Sequence, residues 1–293
     1  RDGAVVVMVG SPDYSDARID GAVNAAVALR QPGSALKPFT YAAAFARGLT
    51  PATMMIDVET SFMTREGAPY VPVNYDYRFH GPVLLRQALA CSYNVVAVKV
   101  LDRIGISALT GLASDLGITT LDRAESAGLA LTLGSGEVRL LELTAAYGAL
   151  ATGGYRVTPY IIREVTTEDG TVLYRAPSPR RERVLDERIA YLITDILADP
   201  LARAPAFGEG SVLDAGLPAA VKTGTTTEWR DNWTVGYTTR YVVGVWVGNH
   251  DNEPMRGISG VDGAAPIWRG MIRDLHPTRP PGFARPDGLV EVE

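Results

Sequence analysis

The stretch QPGSALKPF at residues 31–39 sets a hydroxyl, Ser34, three residues before an amine, Lys37. On a helix, positions i and i+3 share a face, so the amine can fold back onto the hydroxyl. A serine is a weak nucleophile until a neighbouring base takes its proton, and Lys37 would be that base. Pro38 has no amide hydrogen to return to the carbonyl of Ser34, which suits a helix that begins at about Ser34. Ser34 would then lie at the positive end of the helix dipole, its amide free to face an oxyanion. The same residues also make an ordinary polar helix start, so this spacing alone does not decide.

Two further stretches change the balance. Ser92-Tyr93-Asn94 puts a hydroxyl and an amide two residues apart where one helix should end and another begin; alone it reads as a capping serine. Lys222, Thr223, Gly224 and Thr225 open a strand on which Thr223 and Thr225 point the same way, while Gly224 admits another backbone or a ligand. Beside Lys222 the two hydroxyls would make a carboxylate receptor; alone they are simply strand-forming threonines. S-x-x-K, S-x-N and K-T-G in that order, on a helix, an interhelical loop and a strand, are poorly explained by chance.

Other chemistries have little support. The three histidines, His80, His250 and His276, lie in no stretch that suggests a Ser-His-Asp arrangement, and with a single cysteine, Cys91, there is no metal-ligand spacing. No metal or cofactor is expected. A net charge of −5, with scattered basic residues, gives no reason to expect a nucleic-acid partner. The longest apolar runs, such as YVVGVWVG at 241–248, are far short of the roughly 20 residues that span a bilayer.

The elements that must position these residues follow from the pattern. A strand is expected at 3–10, with Asp2-Gly3 resembling the second half of a hairpin turn, which suggests a missing first strand. Helices are expected over 34–47, 83–92, 94–105 and 106–117, after a long irregular stretch at 51–82. A loop and helix at 134–154, a hairpin about Asp169-Gly170 and a helix at 186–199 come next. Three strands joined by short polar turns and a closing helix end the domain. The fold class is α+β: an antiparallel sheet built from both chain ends, flanked by helices, with an all-helical subdomain. Residues 1–275 form the domain, and the Pro- and Arg-rich 276–293 reads as a linker.

The three motifs, together with RFHGPVLLRQALACSYNV, LGSGEVRLLELTAAYGALATGG and GVDGAAPIWRGM, resemble the transpeptidase module of class A penicillin-binding proteins, most closely the 1C type. The resemblance implies an acyl-serine enzyme acting on the D-Ala-D-Ala end of peptidoglycan stem peptides and acylated by β-lactams. Ser34 would attack, the amides of Ser34 and Thr225 would hold the oxyanion, and Lys37 would be the base. Ser92 would relay protons between Lys37, Lys222 and the leaving amine, and Asn94 would hold Lys37 and a substrate amide. Thr223, Gly224 and Thr225 would bind substrate beside Lys222. To act as base Lys37 must be neutral, well below a lysine's ordinary value of about 10.4; burial and the charge of Lys222 both act in that direction. The resemblance also implies the periplasmic face of the inner membrane, an upstream anchor outside this sequence, and other cell-wall synthesis proteins as partners.

Two competing readings are a serine β-lactamase, for which no E-x-x-L-N is present, and a non-enzymatic β-lactam sensor or scaffold. Cys91 reads as packing a helix end, His80 as ordering its loop and Glu137 as capping or ordering the helix that follows. Trp233 and Trp268 read as core or cleft wall, while Trp229 is close enough to the K-T-G strand to touch a stem peptide.

Overall fold

Three consecutive alanines, Ala42, Ala43 and Ala44, let neighbouring helices close on α1 (Lys37–Phe45), every residue of which is buried. The computed structural model, which describes residues 2–121 and 124–291, runs this helix on from a 3-10 turn at Gly33–Leu36 that carries Ser34. Pro38 sits in its first turn, where no amide hydrogen is needed. Around α1 pack α2 (Leu85–Ala90), α3 (Asn94–Ile104) and α4 (Ile106–Asp115). Both α5 (Leu140–Ala151) and α6 (Glu187–Ala198) link this helical body to the sheet.

Among the described residues, ten short strands precede the main sheet. β1 (Leu29–Arg30) pairs with β6 (Val138–Arg139), β2 (Met54–Asp57) with β5 (Gly81–Leu84), and β3 (Phe62–Met63) with β4 (Pro69–Tyr70). β7 (Tyr155–Val157) pairs with β10 (Arg181–Arg183), and β8 (Glu164–Thr166) with β9 (Val172–Arg175) across the expected Asp169-Gly170 turn. Residues 51–82 are therefore less irregular than expected: pairs of two to four residues are too short for alternation to show in the sequence. A further helix, α7 (Pro200–Phe207), was not expected because Pro200 and Pro205 look like breakers. Pro200 in fact occupies the first turn, and Asp199 caps the amides of Leu201 and Ala202.

The main sheet is antiparallel, β11 (Ala220–Thr225), β12 (Asp231–Tyr237) and β13 (Val242–Gly248), in that order. One face sends Trp233, Val235 and Tyr237 into the helical core. The other lays Val221, Val243 and Val245 against Trp268 and Ile272 of α8 (Ala264–Asp274). Helices packed on both faces of an antiparallel sheet make the fold α+β, as expected, but one detail differs. All three strands come from the C-terminal third, and residues 3–10 form only an isolated bridge, Ala4 with Tyr160. Their β-branched run has strand propensity but no neighbour to pair with, because a cleft of ≈800 Å³ separates residues 2–12 from β13.

Residues 276–291 hold no helix or strand, yet part of this stretch is docked on the domain. Phe283 meets the Tyr237 ring edge-on at 5.7 Å, and the hydroxyl of Thr239 donates to the carbonyl of Pro281. Arg1 and residues 292–293, the outer ends of the expected domain and linker, lie outside the described residues.

Candidate active site

The 3-10 turn that presents Ser34 is fastened from three sides. The phenol of Tyr147 on α5 donates to the carbonyl of Ala35 at 2.6 Å, and the indole of Trp233 on β12 donates to that of Gln31 at 2.7 Å. The free edge of β11 closes the third side. An added Cβ at Gly224 would fall 2.1 Å from the carbonyl oxygen of Pro32 and 3.0 Å from the amide nitrogen of Ala35, so the backbone that Gly224 admits is the nucleophile turn itself. Those obstacles are backbone, which cannot swing aside. Gly224→Ala is expected to displace the turn and to cost about 1–3 kcal/mol of stability. Acylation of Ser34 falls with it, and a variant with wild-type melting and wild-type acylation would contradict this geometry.

Ser92 stands where α2 ends. The amide of Ser92 donates to Leu89 and that of Tyr93 to Ala88, the pattern of a Schellman close, which puts Ser92 at the position usually given to glycine. Its φ is 63°, a left-handed conformation that costs a side-chain residue on the order of 1–3 kcal/mol and is held by its surroundings. The serine thus closes α2 instead of capping α3, whose N-cap is Tyr93.

Two of the motif side chains, Lys37 and Lys222, converge on this hydroxyl. Lys37 Nζ donates to the Ser92 carbonyl at 2.6 Å and to Asn94 Oδ1 at 2.7 Å, and lies 3.3 Å from Ser92 Oγ. Lys222 Nζ donates to Ser92 Oγ at 2.8 Å and to the Thr223 carbonyl at 2.9 Å. Ser34 and Lys37 behave differently from the sequence expectation: no hydrogen bond joins them among the described residues, because the amine is turned to Ser92 and Asn94. Ser34 is half-buried and its hydroxyl has no hydrogen-bond partner among the described residues, and a neutral Lys37 that donates its two hydrogens to the Ser92 carbonyl and Asn94 Oδ1 keeps its lone pair for the Ser34 proton.

Both lysines are buried, Lys37 fully. Burial, then the charge of Lys222, holds the Lys37 amine well below its ordinary value. Burial and, secondarily, Arg203 push Lys222 down to about 7. Between that value and the ordinary 10.5, the unfolded chain binds a proton at this lysine that the folded chain does not. The unfolding free energy therefore rises with pH across this window, and Lys37 adds in the same direction. The urea midpoint, read from tryptophan fluorescence, is expected to climb between about pH 7.5 and about pH 9.5, and Lys222→Met to flatten the climb. An unaltered slope in that variant would contradict the depressed value.

Thr225 faces Asn232 across the ladder, while the Thr226 amide donates to the Asp231 carbonyl. Because bonded pairs alternate, Thr225 belongs to a non-bonded pair and its N–H points away from β12, toward the Ser34 turn. A Cβ on Gly33, whose φ is 55°, would lie 2.8 Å from this nitrogen. The Ser34 amide, one residue ahead of the first amide to donate within the turn, Ala35 to Pro32, is a second donor, with no acceptor among the described residues. The Thr225 hydroxyl accepts from the Gly260 amide at 2.9 Å and retains its own proton to donate, with Thr223 on the same face of β11.

The remaining residues fall out as follows. Cys91 ends α2 and its thiol reaches the Ala202 carbonyl, a packing role. His80 orders its loop through Asp57 and stacks on Tyr93. The ordering role expected of Glu137 belongs to Glu142, which accepts from the Thr119 amide and hydroxyl and pairs with Arg139. Trp233 and Trp268 are core, and Trp229 is exposed, its indole donating to the hydroxyl of Tyr75 at 3.3 Å. Asn74, whose Oδ1 accepts from the amides of Asn94 and Val95, and Val73, whose carbonyl accepts from the Asn94 amide group, had no signal in the sequence. Among the described residues no acidic, histidine or cysteine group could hold a metal ion, and no helix is long and apolar enough to cross a membrane.

The sequence pattern described as the penicillin binding protein transpeptidase domain matches residues 1–265. Penicillin-binding protein 1A of Neisseria gonorrhoeae is 32% identical over 299 residues, covering 99% of this chain and 36% of its own length. Penicillin-binding protein 2D of Bacillus subtilis (strain 168) is 33% identical over 300 residues, covering 100% of this chain and 42% of its own. The chain thus spans less than half the length of these relatives, and their names carry 1A and 2D where the motifs suggested the 1C type. The crystal structure of penicillin-binding protein 1A from Haemophilus influenzae superposes with a TM-score of 0.83 at 25% identity, over 95% of this chain and 47% of that one. PonA1 from Mycobacterium tuberculosis, solved in complex with penicillin V, has the same fold, with a TM-score of 0.76 at 22% identity over 90% of this chain and 73% of that one.

Proposed function

This chain belongs to the penicillin-binding protein transpeptidase family, and from that premise we propose that it is a peptidoglycan D,D-transpeptidase domain working through an acyl-serine. The observation that carries the reading is the meeting of two buried lysines on one hydroxyl, Ser92, one of them, Lys37, following Ser34 by three residues. In the first half-reaction neutral Lys37 takes the Ser34 proton as Oγ attacks the carbonyl of the penultimate D-Ala. The amides of Ser34 and Thr225 hold the oxyanion, and collapse expels the terminal D-Ala as its amine takes a proton passed from Lys37 through Ser92. The carboxylate of that D-Ala is held by the hydroxyls of Thr223 and Thr225 beside Lys222, and Asn94 holds Lys37 and a substrate amide. An amine on a neighbouring stem then attacks the ester, returns its proton by the same route and leaves the cross-link. β-Lactams, which mimic the D-Ala-D-Ala end, acylate Ser34.

Among the described residues the edge of β11 away from β12 pairs with no strand, and there it offers the N–H of Thr225 to the substrate carbonyl. Residues 1–275 constitute the catalytic domain and 276–293 lead out of it. The cleft between residues 2–12 and β13 supports a further strand completing the sheet at that edge. Its proposed place is the periplasmic face of the inner membrane, held by an anchor outside this sequence and working with other cell-wall synthesis proteins; the class A names of its relatives support this. A stem peptide ending in D-Ala-D-Ala, incubated with the 293-residue chain and an acceptor D-amino acid, is expected to release one D-Ala for each acceptor joined. No release under conditions where the chain is folded would sink the transpeptidase reading.

A further inference from the structure

The segment that carries Ser92 and Asn94 is gripped from behind by buried polar groups that no step above uses. At the start of α3 the amides of Asn94 and Val95 need acceptors, and the N-cap residue Tyr93 supplies none from its side chain. Both amides donate instead to Oδ1 of Asn74, at 2.8 and 3.2 Å, across twenty residues of sequence. The adjoining carbonyl of Val73 accepts from Asn94 Nδ2 at 2.8 Å, and this fixes which end of the Asn94 amide turns to Lys37.

Asn74 is itself over-determined. It is 2% exposed, and its Nδ2 donates to Asp57 Oδ2 and to the carbonyl of Arg78, both at 2.8 Å. The fully buried Asp57 carboxylate also accepts from the His80 amide at 3.1 Å and meets His80 Nδ1 at 2.6 Å. The His80 ring lies flat on Tyr93, centroids 3.9 Å apart. Tyr93 and Asn94 are thus clamped by one cluster, immediately after the left-handed Ser92. A buried carboxylate and a distant amide are costly means of capping a helix that a serine or aspartate at the N-cap would close locally. What they add is a fixed position for Asn94 and the Ser92 turn.

We propose, resting on the acyl-transfer reading, that Asn74 is a positioning residue for the reaction: held by Asp57 and His80, it fixes Asn94 and the Ser92 turn so that Lys37 and Lys222 meet on one hydroxyl. Displacing reacting groups by about 1 Å costs on the order of 10²-fold in rate, and Asn74 acts on the motif residues through its bond to the Asn94 amide. Asn74→Ala in the full chain is therefore expected to lower the maximal rate of acylation by a penicillin by about 30- to 100-fold while half-saturation moves less than about threefold. A purely structural role would lower the melting temperature and leave the maximal rate per folded molecule unchanged.

A reciprocal exchange supplies the second arm. Asn74→Asp alone sets two carboxylates side by side, and adding Asp57→Asn restores one carboxylate facing one amide. The double variant is expected to recover at least about tenfold of the rate lost by the single one, whether or not Asn74→Ala folds. Asn74→Ala with a maximal rate within a few-fold of wild type, or an exchange without recovery, overturns the proposal. Wild-type chain that a penicillin fails to acylate at Ser34 overturns the acyl-transfer reading and this proposal with it.

Discussion

Lys37→Met lowers acylation of Ser34 by about 10²–10⁴-fold, the range a positioned general base contributes. The amine has three acceptors within reach, Ser92 O, Ser92 Oγ and Asn94 Oδ1, and it is fully buried. Methionine fills a similar volume without a proton to take or give, so the deficit should persist at every pH, whereas a merely misplaced base would regain rate as pH rises. Its removal also ends the cost of burying an amine that can be charged, although two acceptors lose their donor; the melting temperature should therefore stay near wild type. Stopped-flow or quenched acylation with a penicillin reads the rate. A Lys37→Met chain that acylates within tenfold of wild type would mean that another group deprotonates Ser34, with Lys222 through Ser92 the neighbour to examine next.

Thr225→Pro carries the second large effect. Because Thr225 sits in a non-bonded pair of the β11–β12 ladder, proline removes no ladder hydrogen bond; it removes the N–H aimed at the Ser34 turn. Loss of one oxyanion donor costs about 3–4 kcal/mol, or on the order of 10²–10³-fold in rate. The pyrrolidine ring also approaches Gly33, so melting is measured on the same sample. A variant that melts like wild type and acylates within a few-fold of it would remove Thr225 from the oxyanion hole.

Much of this site can be read in the sequence because acyl-transfer chemistry concentrates its residues in short motifs. Ser34 and Lys37 are i and i+3 at one helix start, Ser92 and Asn94 flank one residue, and Lys222, Thr223 and Thr225 share a strand. Each motif carries its own geometry, and only their convergence on Ser92 needed the fold. The direction Lys37 takes, toward Asn94 and away from Ser34, depends on where α3 begins, which helical periodicity leaves open. Asn74, Asp57 and His80 act through hydrogen bonds spanning 17 to 23 residues, drawn from a stretch whose four strands are too short to show alternation. Polar residues in such a stretch look like loop surface until burial is known.

The larger elements follow the same logic. Helices α3 and α6, with regular apolar stripes, stand where periodicity put them, whereas α7 hides behind Pro200 and Pro205. The 3–10 segment errs in the opposite sense: its valines favour a strand, but a strand exists only where a partner lies within hydrogen-bonding distance, and β13 does not. Propensity is local, and pairing is tertiary.

The most direct test of the acyl-serine is the intact mass of the chain over time after a penicillin is added, with Ser34→Ala in parallel. The account predicts a gain of one drug mass in wild type that persists for many minutes, maps to the peptide containing Ser34 and is absent from the alanine variant. A transient adduct with steady drug consumption would instead indicate a β-lactamase. An adduct that survives in Ser34→Ala, or none in a folded wild-type chain, would contradict Ser34 as the nucleophile.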